Sequence, residues 1–209
     1  MESMLKTIEL NGDQIDALKE FMNVSVGAAT SSVAELLNAF ATMHIPKIVI
    51  CNSDELVSII QAEVDVMSKY YVTKQLFSGK FGGECMFVMK NSSAENLGNY
   101  LHGIENPSQD DINDAVIELT NILSSTLISR LTKELGVQVQ FFVPSSQVVD
   151  SEDIIKVEDI SQYSKIIIIS TVLEFKDQNI EGNIYILTKD EAIKSLIELI
   201  DKKLEELYS

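Results

Sequence analysis

Four residue types recur as a set. Asp16, Glu20, Asn23 and Pro46 are matched by Asp114, Glu118, Asn121 and Pro144 at one offset of 98 residues, and Ala17/Ala115, Ser31/Ser129 and Leu37/Leu135 keep the same register. If each of the four types makes up roughly 5% of a chain, a chance match at one given offset has odds on the order of 1 in 10^5, so a duplicated unit is the better reading. The chemistry open to the set is narrow. Asn carries both a donor and an acceptor on a short side chain. It can orient a water but is a poor general base. Glu, one helical turn away, can accept from a Lys or Arg of a partner. A lone Glu-x-x-Asn on a solvent face means nothing. Here the set is repeated, and it twice places like charges at i, i+4 (Asp16/Glu20, Asp114/Glu118), which costs about 0.2–0.5 kcal/mol per pair. A repeated local cost invites a functional explanation.

These residues need helices to position them. Ile15, Leu18, Met22, Val26, Ala29, Val33, Leu36 and Phe40 recur at spacings of three and four and predict a helix from Gln14 that stops before Pro46. With that stripe near 0°, Asp16, Glu20, Asn23 and Gly27 fall at about 100–160°, opposite the core. Ile112, Val116, Leu119, Leu123, Leu127 and Leu131 predict a second helix over 110–135, stopped by Gly136, with Asp114, Glu118, Asn121 and Ser125 opposite its stripe. Gly27 and Ser125 share the offset, and a small residue there lets a partner come close. Each helix leads to a strand, 46–51 in the first copy and 137–143 in the second, the latter ending at Pro144.

The remaining elements follow the same order. Residues 4–10 read as a short strand or lead-in, and 58–66 are ambiguous between helix and strand. Residues 70–77 and 84–89 flank a glycine-rich turn and predict a hairpin. The turn lacks the Gly-x-x-x-x-Gly-Lys-Ser/Thr spacing of a phosphate-binding loop. A short helix capped at Ser92 or Ser93 spans 92–103, and Glu105–Asn106–Pro107–Ser108 is the linker between copies. Residues 145–163 stay unassigned, 165–175 and 181–187 predict a second hairpin, and 189–208 an amphipathic helix. The expected architecture is α+β: one domain over 1–209 with internal repeats at about 14–104 and 110–208, pseudo-twofold symmetry, an antiparallel sheet of hairpins, and two long helices carrying the sites.

Composition excludes several functions. Of the 209 residues, 45% are apolar, and the net charge of −16 disfavours nucleic acid and anionic membrane surfaces. Cys51 and Cys85 sit outside any Cys-x-x-Cys and read as reduced, partly buried thiols. With no leader-like N-terminus and Ile166–Ile169 as the longest aliphatic run, a cytoplasmic protein without membrane insertion is expected. His44 and His102 are isolated and read as surface or structural residues, which leaves no metal site. Ser31 and Ser129 have no neighbouring base and read as helix-packing residues.

The spacing Asp, three residues, Glu, two residues, Asn, twenty-two residues, Pro resembles the signature of the CheC/CheX/FliY family of response-regulator phosphatases. Two intact copies with nothing appended are most similar to CheC-type members; CheX-like members are shorter with one site, and FliY-like members add a switch domain. The resemblance implies a CheY-like receiver bearing an aspartyl phosphate as substrate. Asn23 or Asn121 would hold a water in line with the phosphorus, and Glu20 or Glu118 would pair with a receiver lysine. Asp16, Asp114, Pro46 and Pro144 would support. The chain would need no cofactor of its own, the Mg²⁺ being carried by the phosphorylated receiver. The family also implies CheD as a second partner. Alternatives are a non-catalytic CheY- or CheD-binding adaptor of the same fold, as in FliM-like middle domains that lack the paired Glu and Asn, and a phosphatase of a receiver outside chemotaxis.

Overall fold

The computed structural model describes residues 9–156, 160 and 165–208. The two 26-residue helices predicted for the motifs are present, α1 (Gly12–Leu37) and α4 (Gln109–Glu134). Both begin in reciprocal capping boxes, Asn11 with Gln14 and Ser108 with Asp111, which satisfy amides that the first turn would leave unpaired. After α1 come β1 (Thr42–Met43), β2 (Lys47–Cys51), α2 (Ser53–Gln61), the hairpin β3 (Lys69–Gly79) and β4 (Gly83–Lys90), and α3 (Asn91–His102). After α4 come β5 (Val139–Phe141), β6 (Ser145–Asp150), the hairpin β7 (Ile166–Phe175) and β8 (Ile180–Lys189), and a last helix, α5 (Asp190–Tyr208).

The eight strands form one antiparallel sheet, with β1-β7-β8-β4-β3-β5 as its main path. β2 adds to β7 and β6 adds to β3. The short strands that follow each long helix therefore pair with the hairpin of the other half. At the centre β4 meets β8, for example Cys85 opposite Ile186. The two halves are thus threaded through one another, and each runs long helix, two short strands, hairpin, helix, with α2 of the first half having no α-helical counterpart among the described residues of the second.

The sheet is covered on both faces, which is why its long strands contain unbroken buried apolar runs such as Cys85–Met89 and Ile166–Ile169. On one face Tyr71, Phe77, Phe87, Ile167 and Ile169 pack under α1 and α4 through Leu18, Met22, Leu119 and Leu123. On the other, Tyr70, Val72, Met86, Val88 and Ile168 pack under α2 and Ile154, Ile155 and Ile160. α1 and α4 also pack on each other, so both motif helices share one layer. Cys51 and Cys85 are free thiols, as expected, and are buried more fully than expected; burial pushes their pKa values up to about 11 and about 12. The glycine-rich segment is a hairpin turn. A Cβ on Gly79 would lie 2.6 Å from the Gln138 carbonyl oxygen, so β3 needs glycine where it meets β5.

Several expectations are corrected. α1 ends at Leu37, eight residues short of Ile45, because Asn38 takes a left-handed cap conformation with φ 44°. Beyond it the helical period no longer applies: Leu37 is buried and Phe40 is 80% exposed. The ambiguous 58–66 segment belongs partly to α2, which starts at Ser53. α3 starts at Asn91 with Lys90 as its cap position, ahead of Ser92 and Ser93. The strand after α4 covers only Val139–Phe141, and a separate strand, β6, fills part of the unassigned stretch. The proposed strand at 4–10 lies almost wholly outside the described residues.

Candidate functional site

Each motif helix forms one wall of an open groove, and the segment after it forms the other. The first groove, about 590 Å3, lies between α1 and residues 39–46 and is lined by Asn23, Gly27, Thr30, Ser31, His44 and Pro46 among others. The second, about 570 Å3, lies between α4 and residues 141–144 and is lined by Asp114, Glu118, Asn121, Phe142, Val143, Pro144 and Gln75. All four motif residues of the second copy therefore line one groove. In the first copy Asn23 and Pro46 line the groove, while Asp16 and Glu20 stand exposed further along the same helix.

The exposures follow the helical-face reading: Asp16, Glu20, Asn23, Asp114, Glu118 and Asn121 are all exposed. The prolines explain the far wall. Pro46 is buried and Pro144 half-buried, and a proline holds the residue before it extended. Ile45 and Val143, the residues before them, are pushed outward and are 83% and 90% exposed. With Phe40 and Phe142 they make an apolar lip on each groove. An aliphatic residue directly before both prolines at the common offset was the sequence signal for this lip.

The like-charge cost holds for one copy only. Lys19 Nζ lies 3.1 Å from Asp16 Oδ1, which offsets the repulsion from Glu20. The corresponding residue beside Asp114 is Ile117, which lines the second groove instead. His44, read as isolated, lies on the first groove with its Nε2 3.4 Å from Glu174 Oε2. Ser31 and Ser129 are exposed and not helix-packing residues; Ser31 donates to the Gly27 carbonyl one turn back. Among the described residues no group of three or more His, Cys, Asp or Glu is placed to hold a metal ion. Nor, among them, is any helix long and apolar enough to cross a membrane.

A second-groove residue that the sequence reading missed is Gln75. It sits on the helix-facing side of β3, 2% exposed. Its Nε2 donates to Asn121 Oδ1 at 2.9 Å and to the Phe142 carbonyl at 3.0 Å, and its Oε1 accepts from the Ser124 hydroxyl. The available signal was a polar amide at period-two spacing from the apolar Tyr71 and Phe77, on the core-facing side of the strand.

Gly27 tests whether the first groove needs open space. A Cβ there would meet nothing within 4 Å, so internal packing does not require glycine. Glycine inside a helix costs roughly 0.5–1 kcal/mol. Gly27→Leu is expected to raise the melting temperature while weakening whatever docks against α1. Calorimetry with a binding titration checks this, and a stabilised variant that binds as before would remove the access role.

The fold is that of solved members of the CheC/CheX/FliY family, and the resemblance to that family is borne out. No protein-family model matches the chain. It is similar to the CheY-P phosphatase CheC of Bacillus subtilis (strain 168), with 24% identity over 196 residues, covering 88% of this chain and 92% of that relative. Among solved structures it is similar to FliY of Thermotoga maritima, at TM-score 0.73 and 15% identity over 93% of this chain and 98% of that one. The FliM middle domain of H. pylori matches at TM-score 0.62 and 13% identity, covering 91% of this chain and 99% of that one. A chain of the CheX–CheY–BeF3–Mg²⁺ complex from Borrelia burgdorferi matches at TM-score 0.54 and 12% identity, covering 81% and 99%.

Proposed function

We propose that this chain is a cytoplasmic phosphatase that hydrolyses the aspartyl phosphate of a CheY-like response regulator in chemotaxis. The observation that carries the proposal is the second groove, where Asp114, Glu118, Asn121 and Pro144 converge on one exposed surface. Similarity to a relative named as a CheY-P phosphatase supports it, as does the fold shared with a protein solved in complex with CheY, beryllium fluoride and Mg²⁺.

In this reading a receiver docks its phosphorylated face into the groove. Glu118, or Glu20 in the first site, accepts from a receiver lysine and sets the docking register. Asn121, or Asn23, reaches the phosphate and holds a water by hydrogen bonds. The water oxygen attacks phosphorus in line with the bond to the receiver aspartate, that bond breaks, and inorganic phosphate and a free carboxylate leave. Asn aligns the nucleophile and does not deprotonate it, which suits a reaction whose catalysis is mostly positioning and electrostatics. The receiver supplies the Mg²⁺, and the chain forms no covalent intermediate. Asp114, Pro46 and Pro144 shape the grooves, and Asp16 supports from further along α1, none of them touching phosphate. CheD is proposed as a second partner that raises activity.

The pairwise variants test the assignment. E20A/N23A and E118A/N121A are each expected to remove part of the dephosphorylation rate and leave the other site working. A pair whose loss changes nothing would strike that site from the mechanism. A second reading, a receiver-binding adaptor without catalysis, is favoured by the fold shared with FliM. It predicts that receiver binding leaves phosphate lifetime unchanged.

A further inference from the structure

The two copies of the motif differ beneath the asparagine. In the second, the Phe142 carbonyl can only accept, so it fixes which end of the Gln75 amide faces the groove. The two hydrogens on Gln75 Nε2 are then both used, one toward Phe142 and one toward Asn121. The Asn121 atom opposite a donor must be its oxygen. Its carboxamide is thereby held in one orientation, with Nδ2 turned away from Gln75.

The first copy is built differently at the same place. The His44 amide donates to the Val172 carbonyl at 3.1 Å, as the Phe142 amide donates to the Leu76 carbonyl at 3.0 Å. His44 and Phe142 stand 98 residues apart, but Val172 and Leu76 stand 96 apart, so the residue in the position of Gln75 is Thr171. Thr171 Oγ1 donates to the His44 carbonyl at 2.7 Å, reproducing the backbone half of the Gln75 arrangement. Its one hydroxyl hydrogen is then spent, and Val26 stands where Ser124 does. Among the described residues no hydrogen bond holds the Asn23 side chain.

We propose that Gln75 is a positioning residue for Asn121. The second site is therefore preorganised and faster per turnover, while Asn23 is ordered only when a receiver docks. This rests on the phosphatase reading above. A side-chain hydrogen bond of ordinary strength corresponds to a difference of roughly three- to tenfold in rate.

The experiment uses the full chain and a phosphorylated CheY-type receiver in excess. With the first site removed by E20A/N23A, Gln75→Thr should lower kcat roughly three- to tenfold and leave KM unchanged, because threonine can still cap the Phe142 carbonyl. With the second site removed by E118A/N121A, Thr171→Gln with Val26→Ser should raise the kcat of the first site by a similar factor. Relaxation of the ¹⁵N-labelled carboxamides supplies a readout that does not pass through catalysis: Asn121 ordered, Asn23 mobile, and Asn121 as mobile as Asn23 in Gln75→Thr. Equal mobility of the two asparagines in the parent chain, or an unchanged kcat in folded Gln75→Thr, would overturn the positioning role. A parent chain that never speeds phosphate loss while Asn121 is ordered and Asn23 is not would overturn the phosphatase reading and leave the tether standing.

Discussion

A chain carrying E20A, N23A, E118A and N121A is expected to remain folded and to lose receiver phosphatase activity by roughly 100-fold or more, the scale seen when groups aimed at a transition state are removed. The expectation of a normal fold has a physical basis. All four side chains are exposed, and surface truncations of this kind usually change stability by no more than about 0.5 kcal/mol. Asn121 is the exception. Its loss takes one partner from the buried Gln75 amide, which costs about 1–3 kcal/mol if nothing replaces it. The bond to Phe142 and the groove's openness to water limit that cost. A thermal melt beside the phosphate assay separates the two effects. A folded quadruple variant that still shortens receiver phosphate lifetime would show that the asparagines and glutamates are not the working groups.

The second large effect concerns the fold. A chain cut within the linker at 105–108 and separated into halves is expected to give no folded monomer from either piece. Length alone would not forbid folding, since pieces of about 100 residues can be domains. The topology forbids it. The first half alone would leave β4 without β8 from Glu84 to Met89, and β3 without β5 and β6. The second would leave β7 without β1 and β2. Each would also expose the faces of α1 or α4 that now pack together. Long unpaired edges and bare apolar faces favour aggregation or re-association. Co-expressed halves should recover a one-to-one complex. Sedimentation and a thermal melt of each half decide the matter, and a monomeric half with a cooperative transition would contradict the threaded description.

What could be read from the sequence follows from which interactions are local. The motif helices were legible because Leu18, Met22, Leu119 and Leu123 repeat at the helical period and the motif residues fall opposite them. β2 and both hairpins were legible from short apolar runs bounded by turn residues. The end of α1 was not, because Phe40 continues the apparent period after Asn38 has already left the helix. The exchange of β1 and β2 with β5 and β6 between halves left no local trace, since pairing partners far apart in sequence are chosen by the assembled sheet. The candidate sites were half legible. Their exposed helical residues were found, and the apolar lips of Ile45 and Val143 and the buried support from Gln75 were not. Those depend on segments that meet the helix only after folding.

The central claim is that this protein turns over receiver phosphate and does not merely bind it. The most direct measurement is phosphate release from several purified, phosphorylated receivers at a protein concentration well below that of receiver, with and without CheD. The account predicts that at least one receiver loses its phosphate faster, with more than one phosphate released per site. A receiver that binds tightly in its phosphorylated form while its phosphate lifetime stays unchanged at every protein concentration would contradict it.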